Sequence, residues 1–175
     1  MKNGKEILLR PVRPDDGNLL AKFYATHCGQ RSSLRYSHVK NPAAPAAQER
    51  PVLIDAVDGL TLVAEQTAPE TGAHEILAVG RLSKKTPGEK AELAVVVGDP
   101  YRGQGLGAEL LRRLIQVARD EKVQEIVANI LAEDLEIRAL AIRLGFKILA
   151  SDDPAVITAT LNLSDRERAM AAHAA

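Results

Sequence analysis

The stretch Glu92 to Ala108, Glu-Leu-Ala-Val-Val-Val-Gly-Asp-Pro-Tyr-Arg-Gly-Gln-Gly-Leu-Gly-Ala, constrains the fold more than any other in the chain. Its β-branched run, Val95 to Val97, stops at the breakers Gly98, Asp99 and Pro100, and the turn Arg102 to Gly107 opens directly into a long amphipathic segment. The order is strand, turn, helix. The first amides of such a helix have no intrahelical partners, and the aligned peptide dipoles add about half a positive charge there. Gly103, Gly105 and Gly107 put no side chain between a ligand and the main chain, and glycine reaches the positive φ that a cradle of amides needs. A pyrophosphate is the natural guest of such a turn.

Two other readings stay open on these residues alone. Three glycines also make a tight strand-to-helix turn with no ligand, and Gly103-Gln104-Gly105-Leu106-Gly107-Ala108 fits the dinucleotide fingerprint Gly-x-Gly-x-x-Gly/Ala. The dinucleotide fold, however, expects an acidic residue about twenty positions on, after the next strand, and a second βαβαβ half. Here the strand-like run Gln124 to Leu131 is followed first by Glu133, with little more than forty residues left.

The same turn resembles the acetyl-CoA motif of the Gcn5-related N-acetyltransferases (GNAT), Arg/Gln-x-x-Gly-x-Gly/Ala, through Arg102, Gly105 and Gly107. Leu131-Ala-Glu-Asp-Leu-Glu-Ile-Arg-Ala-Leu-Ala-Ile-Arg-Leu-Gly-Phe146 is similar to that family's second CoA-side segment, which ends in Leu-Gly-Phe. Ile7-Leu-Leu-Arg-Pro-Val-Arg-Pro-Asp-Asp16, Ser33-Leu-Arg-Tyr-Ser-His38, Leu62-Val-Ala-Glu65 and Val79-Gly-Arg-Leu-Ser83 resemble the acetyltransferase domain of bacterial Pat-type protein-lysine acetyltransferases. The resemblance spans roughly Ile7 to Leu149.

It implies an α+β fold with a mixed, mostly antiparallel sheet of six to seven strands and helices on both faces. It also implies acetyl-CoA as cosubstrate and an amine acceptor, a protein lysine in the Pat-type case. The implied cofactor-binding residues are Val95, Val96 and Val97, whose main chain would hold the pantetheine arm, then Arg102, Gly103, Gln104, Gly105, Leu106, Gly107 and Ala108 around the pyrophosphate, and Asp134. A β-bulge near the valines is expected to splay their strand from its neighbour and aim an amide at a developing oxyanion.

A lysine amine has a reference pKa of about 10.4, so its attack at neutral pH calls for a base. Glu92 stands where the resembled family keeps that base, at the head of the strand that feeds the turn. Two positions depart from the family. Asp134 replaces a common asparagine and is equally suited to cap the next helix. Ala141 replaces a tyrosine that protonates the leaving thiolate, so the general acid is unassigned. The same residues leave open a small-molecule amine acceptor and a non-catalytic acyl-CoA-binding module.

At 175 residues, with 46% hydrophobic and 26% charged residues, the composition is that of one soluble globular domain, 1–175, with 164–175 as a tail. Twenty-three basic and twenty-three acidic residues cancel, so no global field draws the chain to nucleic acid or to an anionic membrane. Cys28, the single cysteine, forms no internal disulfide, and with neither Cys-x-x-Cys nor His-Glu-x-x-His no metal site is expected. No apolar run approaches the roughly twenty residues of a membrane span, and a cytoplasmic location is expected. Oligomeric state is not legible.

Strands are expected over Glu6 to Val12, Leu60 to Gln66, Ile76 to Ser83, the run from Glu92, Ile126 to Leu131, Phe146 to Ala150 and Ala155 to Leu163. Helices are expected from about residue 16 to 28, with Asp15 and Asp16 at its N-cap and favourable negative first turn, over Gln48 to Val57, after the glycine turn, and over Leu135 to Leu144. Ser32 to Lys40 reads as a second short helix or an exposed connection, a region that by the resemblance covers the acceptor side of the cleft, and Asn41 to Ala47 reads as a linker.

Overall fold

A computed structural model describes residues 6–27, 59–68, 72–86 and 89–164. The expectations for Ser32 to Lys40, Asn41 to Ala47, Gln48 to Val57 and nearly all of the tail lie outside the described residues. The described residues hold seven strands: β1 (Leu8–Pro11), β2 (Gly59–Thr67), β3 (His74–Thr86), β4 (Lys90–Val97), β5 (Glu125–Leu131), β6 (Lys147–Ala150) and β7 (Val156–Asn162). The described helices are α1 (Gly17–His27), α2 (Leu106–Asp120) and α3 (Leu135–Arg143).

The strands form one sheet in the order β1-β2-β3-β4-β5-β7-β6, in which only the β4–β5 pair is parallel. This is the expected mixed, mostly antiparallel sheet. It also disposes of the dinucleotide reading, whose fold is an open, mostly parallel sheet.

Alternation along the strands gives the sheet two apolar faces. On one, Leu62, Ala64, Ala78, Leu82 and Leu93 pack beneath the α2 stripe Leu106, Leu110, Leu111, Leu114, Ile115 and Ala118. On the other, Val63, Ile76 and Val79 receive Leu20 and Phe23 of α1. Leu110 and Leu114 are fully buried, and each such side chain is worth about 1.5–3 kcal/mol relative to exposure. Ile76 and Ala78 would share a face in a regular strand, yet they serve opposite cores. The pairing steps from Ala64↔Ala78 to Glu65↔Ile76, leaving Leu77 as the extra residue of a bulge that changes the face.

The expected acidic first turn of Asp15 and Asp16 is present, but the N-cap expected there is corrected to Arg13. Pro14–Asp16 forms a 3-10 turn, and the Asp16 carboxylate reaches back, accepting from the Arg13 amide at 2.7 Å and from both terminal nitrogens of Arg10 at 2.7 and 2.8 Å. Arg10 also donates through Nε to Glu65, whose other oxygen meets His74 Nδ1. Arg10, Asp16 and Glu65 are all buried, so a charged knot fastens β1 to β2 and to the start of α1. The Arg10 hydrogen bond holds the Asp16 carboxyl below the usual carboxylate range. Burial alone would raise Glu65, but hydrogen bonds from Arg10 and His74 outweigh it and hold that group low as well.

β4 and β5 pair only at Lys90↔Glu125, Ala91↔Ile126 and Glu92↔Val127, while β5 goes on pairing β7 through Leu131↔Val156. Beyond Glu92 the two strands part, and the sheet opens as a split. The expected splay is present, but the expected bulge is not its cause. The β3–β4 register runs unbroken from Ala78↔Val97 to Lys84↔Ala91, and its one shift lies beyond Lys84, at the hairpin end.

Candidate active site

The split leads into a cleft of about 880 Å³ between β4 and α2 on one side and β5 and α3 on the other. Glu92, Val95, Val96, Val97, Arg102, Gly103, Gly105, Leu106, Gly107, Ala108 and Asp134 all line it. Gln104 does not. Its side-chain amide donates to the Pro100 carbonyl at 3.1 Å and braces the turn from outside.

The turn owes its shape to two glycines. Gly103 and Gly105 take φ values of +68° and +91°, and a Cβ at either would meet nothing within 4 Å, so the space above the turn is open to a ligand. Gly107 behaves differently from the sequence expectation: it lies inside the first turn of α2 without a positive φ, and a Cβ there would come within 3.3 Å of Val97. It serves close packing. Arg102 is held beside the turn by Asp99, at 2.7 Å. Free helix-start amides next to a cation suit an anion of phosphate type.

In the antiparallel β3–β4 pair, successive residues of β4 turn their amides alternately toward β3 and away from it. Between Leu93 and Val97 the outward set faces the split and has no β5 residue opposite. An extended chain carrying amides can lie along this edge as an added strand would.

Glu92 sits where the split begins. It is opposite Ser83 on β3 and Val127 on β5, on the sheet face away from α2. Arg81, on the same face, donates from Nε to Ser83 Oγ at 2.7 Å, and Asn129 Oδ1 accepts from Thr158 Oγ1 at 3.3 Å. Arg81, Ser83 and Asn129 all line the cleft with Glu92. Sequence reasoning had not picked out these three as site residues. Period-two alternation puts Val79, Arg81 and Ser83 on one face, but only the register Ser83↔Glu92 brings the last two beside the glutamate.

Two tyrosines also enter the cleft, Tyr24 from α1 and Tyr101 ahead of the glycine turn. Burial, then the carboxylate of Glu75 and a hydrogen bond to it, raise the Tyr101 phenol above its ordinary value. The same carboxylate meets His27 Nε2 at 2.8 Å, and the His27 and Tyr101 rings stand edge to face with centroids 5.4 Å apart. This cluster ties the end of α1 to the approach of the turn. Asp134 caps α3, accepting from the Ile137 amide at 3.2 Å, while it faces the cleft. Ala141 lines the cleft without any group that can move a proton.

A turn suited to a phosphate, an open strand edge and a carboxylate at the far end of that edge line one cleft, an arrangement with the shape and chemistry to take a long nucleotide-linked thioester. Residues 6–147 match the family model described as an acetyltransferase (GNAT) domain. An acetyltransferase of Pseudomonas aeruginosa is 27% identical over 146 residues, which cover 83% of this chain and 77% of that protein. The acetyltransferase Pat of Mycolicibacterium smegmatis is 27% identical over 159 residues, 90% of this chain but 46% of that protein, so the chain spans about half of that relative. Among solved structures, the GNAT domain of S. lividans PAT superposes with a TM-score of 0.70 at 22% identity, covering 92% of this chain and 93% of that one. A cAMP-binding acyltransferase from Mycobacterium smegmatis superposes at 0.59 and 23% identity, covering 93% of this chain and 45% of that one. With the family model covering most of its length, this chain belongs to the GNAT acetyltransferase family, enzymes that take acetyl-CoA as cosubstrate.

Proposed function

We propose that the protein acts as a single domain, 1–175, and transfers acetyl from acetyl-CoA to a primary amine, a protein lysine side chain, with Glu92 as general base. The observation that carries this reading is the position of Glu92: the last paired rung before the split, in the same cleft as the glycine turn. The pyrophosphate lies over Gly103 and Gly105 beside Arg102, and the pantetheine arm runs back along the outward edge of Val97 to Leu93. The thioester then arrives short of Glu92.

The ammonium form of lysine loses a proton to the Glu92 carboxylate, directly or through a water, and the amine nitrogen attacks the thioester carbon. The nitrogen of the tetrahedral adduct gives up its second proton to solvent water, the C–S bond breaks, and the thiolate takes up a proton from solvent, consistent with the alanine at position 141. The lysine acceptor is supported by the resemblance of the chain to Pat-type domains and by the relative named Pat. Of the two features that favour a non-catalytic module, Asp134 has a structural account as the cap of α3.

The acceptor class is tested by incubating the protein with isotopically labelled acetyl-CoA and two panels, folded bacterial proteins and small primary amines, followed by mass spectrometry. The expected result is label on lysine side chains of a subset of the proteins. Label on small amines alone would replace the acceptor, and label on neither would favour the non-catalytic module.

A further inference from the structure

The cleft crosses the sheet. On the α2 side it is lined by Val95, Val97 and Leu111, and on the α1 side by Tyr24, Val79 and Val96. Three rungs of the β3–β4 pair order the α1 side: Ser83↔Glu92, Arg81↔Ala94 and Val79↔Val96. Moving from Glu92 to Val96 covers about 13 Å of strand, from a carboxylate, past one methyl group, to an apolar floor. Tyr24 lines the cleft with Val79 and Val96 and packs against the same core cluster as Val96, the one that contains Val79. Its ring packs edge to face on Phe23 with centroids 5.0 Å apart, and Phe23 is buried in the core shared with Val79.

An acyl group delivered near Ala94 has two directions open on this side. One leads to Arg81, Ser83 and Glu92, the other to Val79, Val96 and Tyr24. Removing an alkyl chain from water favours the second. Ala94 leaves room for the methyl of an acetyl group, while each further methylene approaches the immobilised ring of Tyr24. We propose that Tyr24 is a specificity-determining residue that closes the apolar end of the cleft and limits the acyl chain to the shortest members. This rests on the proposed path of the CoA arm along β4, but on neither the acceptor nor the role of Glu92.

The test is calorimetric binding of acetyl-, butyryl- and hexanoyl-CoA to the full chain and to its Tyr24→Phe, Tyr24→Leu and Tyr24→Ala variants, which needs no acceptor. The unaltered protein and Tyr24→Phe should bind acetyl-CoA at least about tenfold more tightly than hexanoyl-CoA. Tyr24→Ala should erase that preference, since each methylene newly accommodated is worth about fourfold in affinity. Tyr24→Leu should fall between, and it carries the test if the alanine variant does not melt cooperatively. An unchanged acetyl-to-hexanoyl ratio in a folded variant would overturn the inference, as would equal binding of the two ligands by the unaltered protein. Gly103→Asp separates the two layers: if it leaves all three affinities intact, the path over the glycine turn is wrong and the inference goes with it. If it weakens all three while the Tyr24 variants keep the original ratio, only the role of Tyr24 fails.

Discussion

Gly103 offers a way to separate charge from shape at the phosphate cradle. Its φ of +68° lies in the left-handed region, which aspartate and asparagine tolerate better than most side chains, and a Cβ there meets nothing within 4 Å. The two replacements are nearly isosteric and differ by one negative charge. If a pyrophosphate sits over the turn, calorimetry should find Gly103→Asp losing at least about tenfold more affinity for acetyl-CoA than Gly103→Asn. Equal losses would mean that the turn excludes by bulk and does not select an anion. At this scale the sequence was informative where a residue type is rare for a reason, as with glycines in a turn after a valine run. It was uninformative for Arg81, Ser83, Asn129 and Tyr24, ordinary residues in ordinary strands and a helix. Their place in the cleft depends on register and on which helix covers which half of the sheet, neither of which is local.

The elements were legible as types, and misread mainly where a side chain reached outside its own element. Asp16 follows Pro14 and precedes an apolar helical stripe, as an N-cap would, yet its partner is Arg10, six residues back. A buried charge pair of this kind makes β1 and α1 depend on pH. Asp16 and Glu65 have lower pKa values in the folded chain than in the unfolded one, so the folded state holds these protons less tightly. Their contribution is complete above the unfolded carboxylate range, about pH 4, and disappears as pH falls through the folded values. Asp16→Asn should therefore cost about 3 kcal/mol in urea unfolding at neutral pH, because it leaves the Arg10 guanidinium short of its charge partner. The deficit should shrink on acidification below about pH 4, where the unaltered chain loses the same interaction. A deficit that stays constant with pH would mean that the aspartate contributes only hydrogen-bond geometry. The split between β4 and β5 was also anticipated, but with a bulge that the β3–β4 register does not show: the two strands pair over three rungs and then part, and pairing length has no signature in residue type.

For the whole molecule, turn signals and strand-like runs sufficed to place the seven described strands along the chain, the mixed and mostly antiparallel sheet followed from the family resemblance, and neither fixed the strand order. That β7 inserts between β5 and β6 follows from which apolar faces fit the cores, a global condition. The order matters because among the described strands it leaves β4 and β5 as the only parallel neighbours, joined by α2, so that the glycine turn and the head of β4 lie at opposite ends of one open edge. In the proposed binding mode, a thioester anchored at one end of that edge presents its carbonyl near the other, where Glu92 stands. Kinetics of Glu92→Gln on a lysine acceptor, paired with calorimetry of acetyl-CoA on the same variant, test this directly. Loss of a general base should lower kcat at least about tenfold while the acetyl-CoA Kd stays within about twofold of the unaltered value. Turnover that is unchanged in the variant would contradict the account.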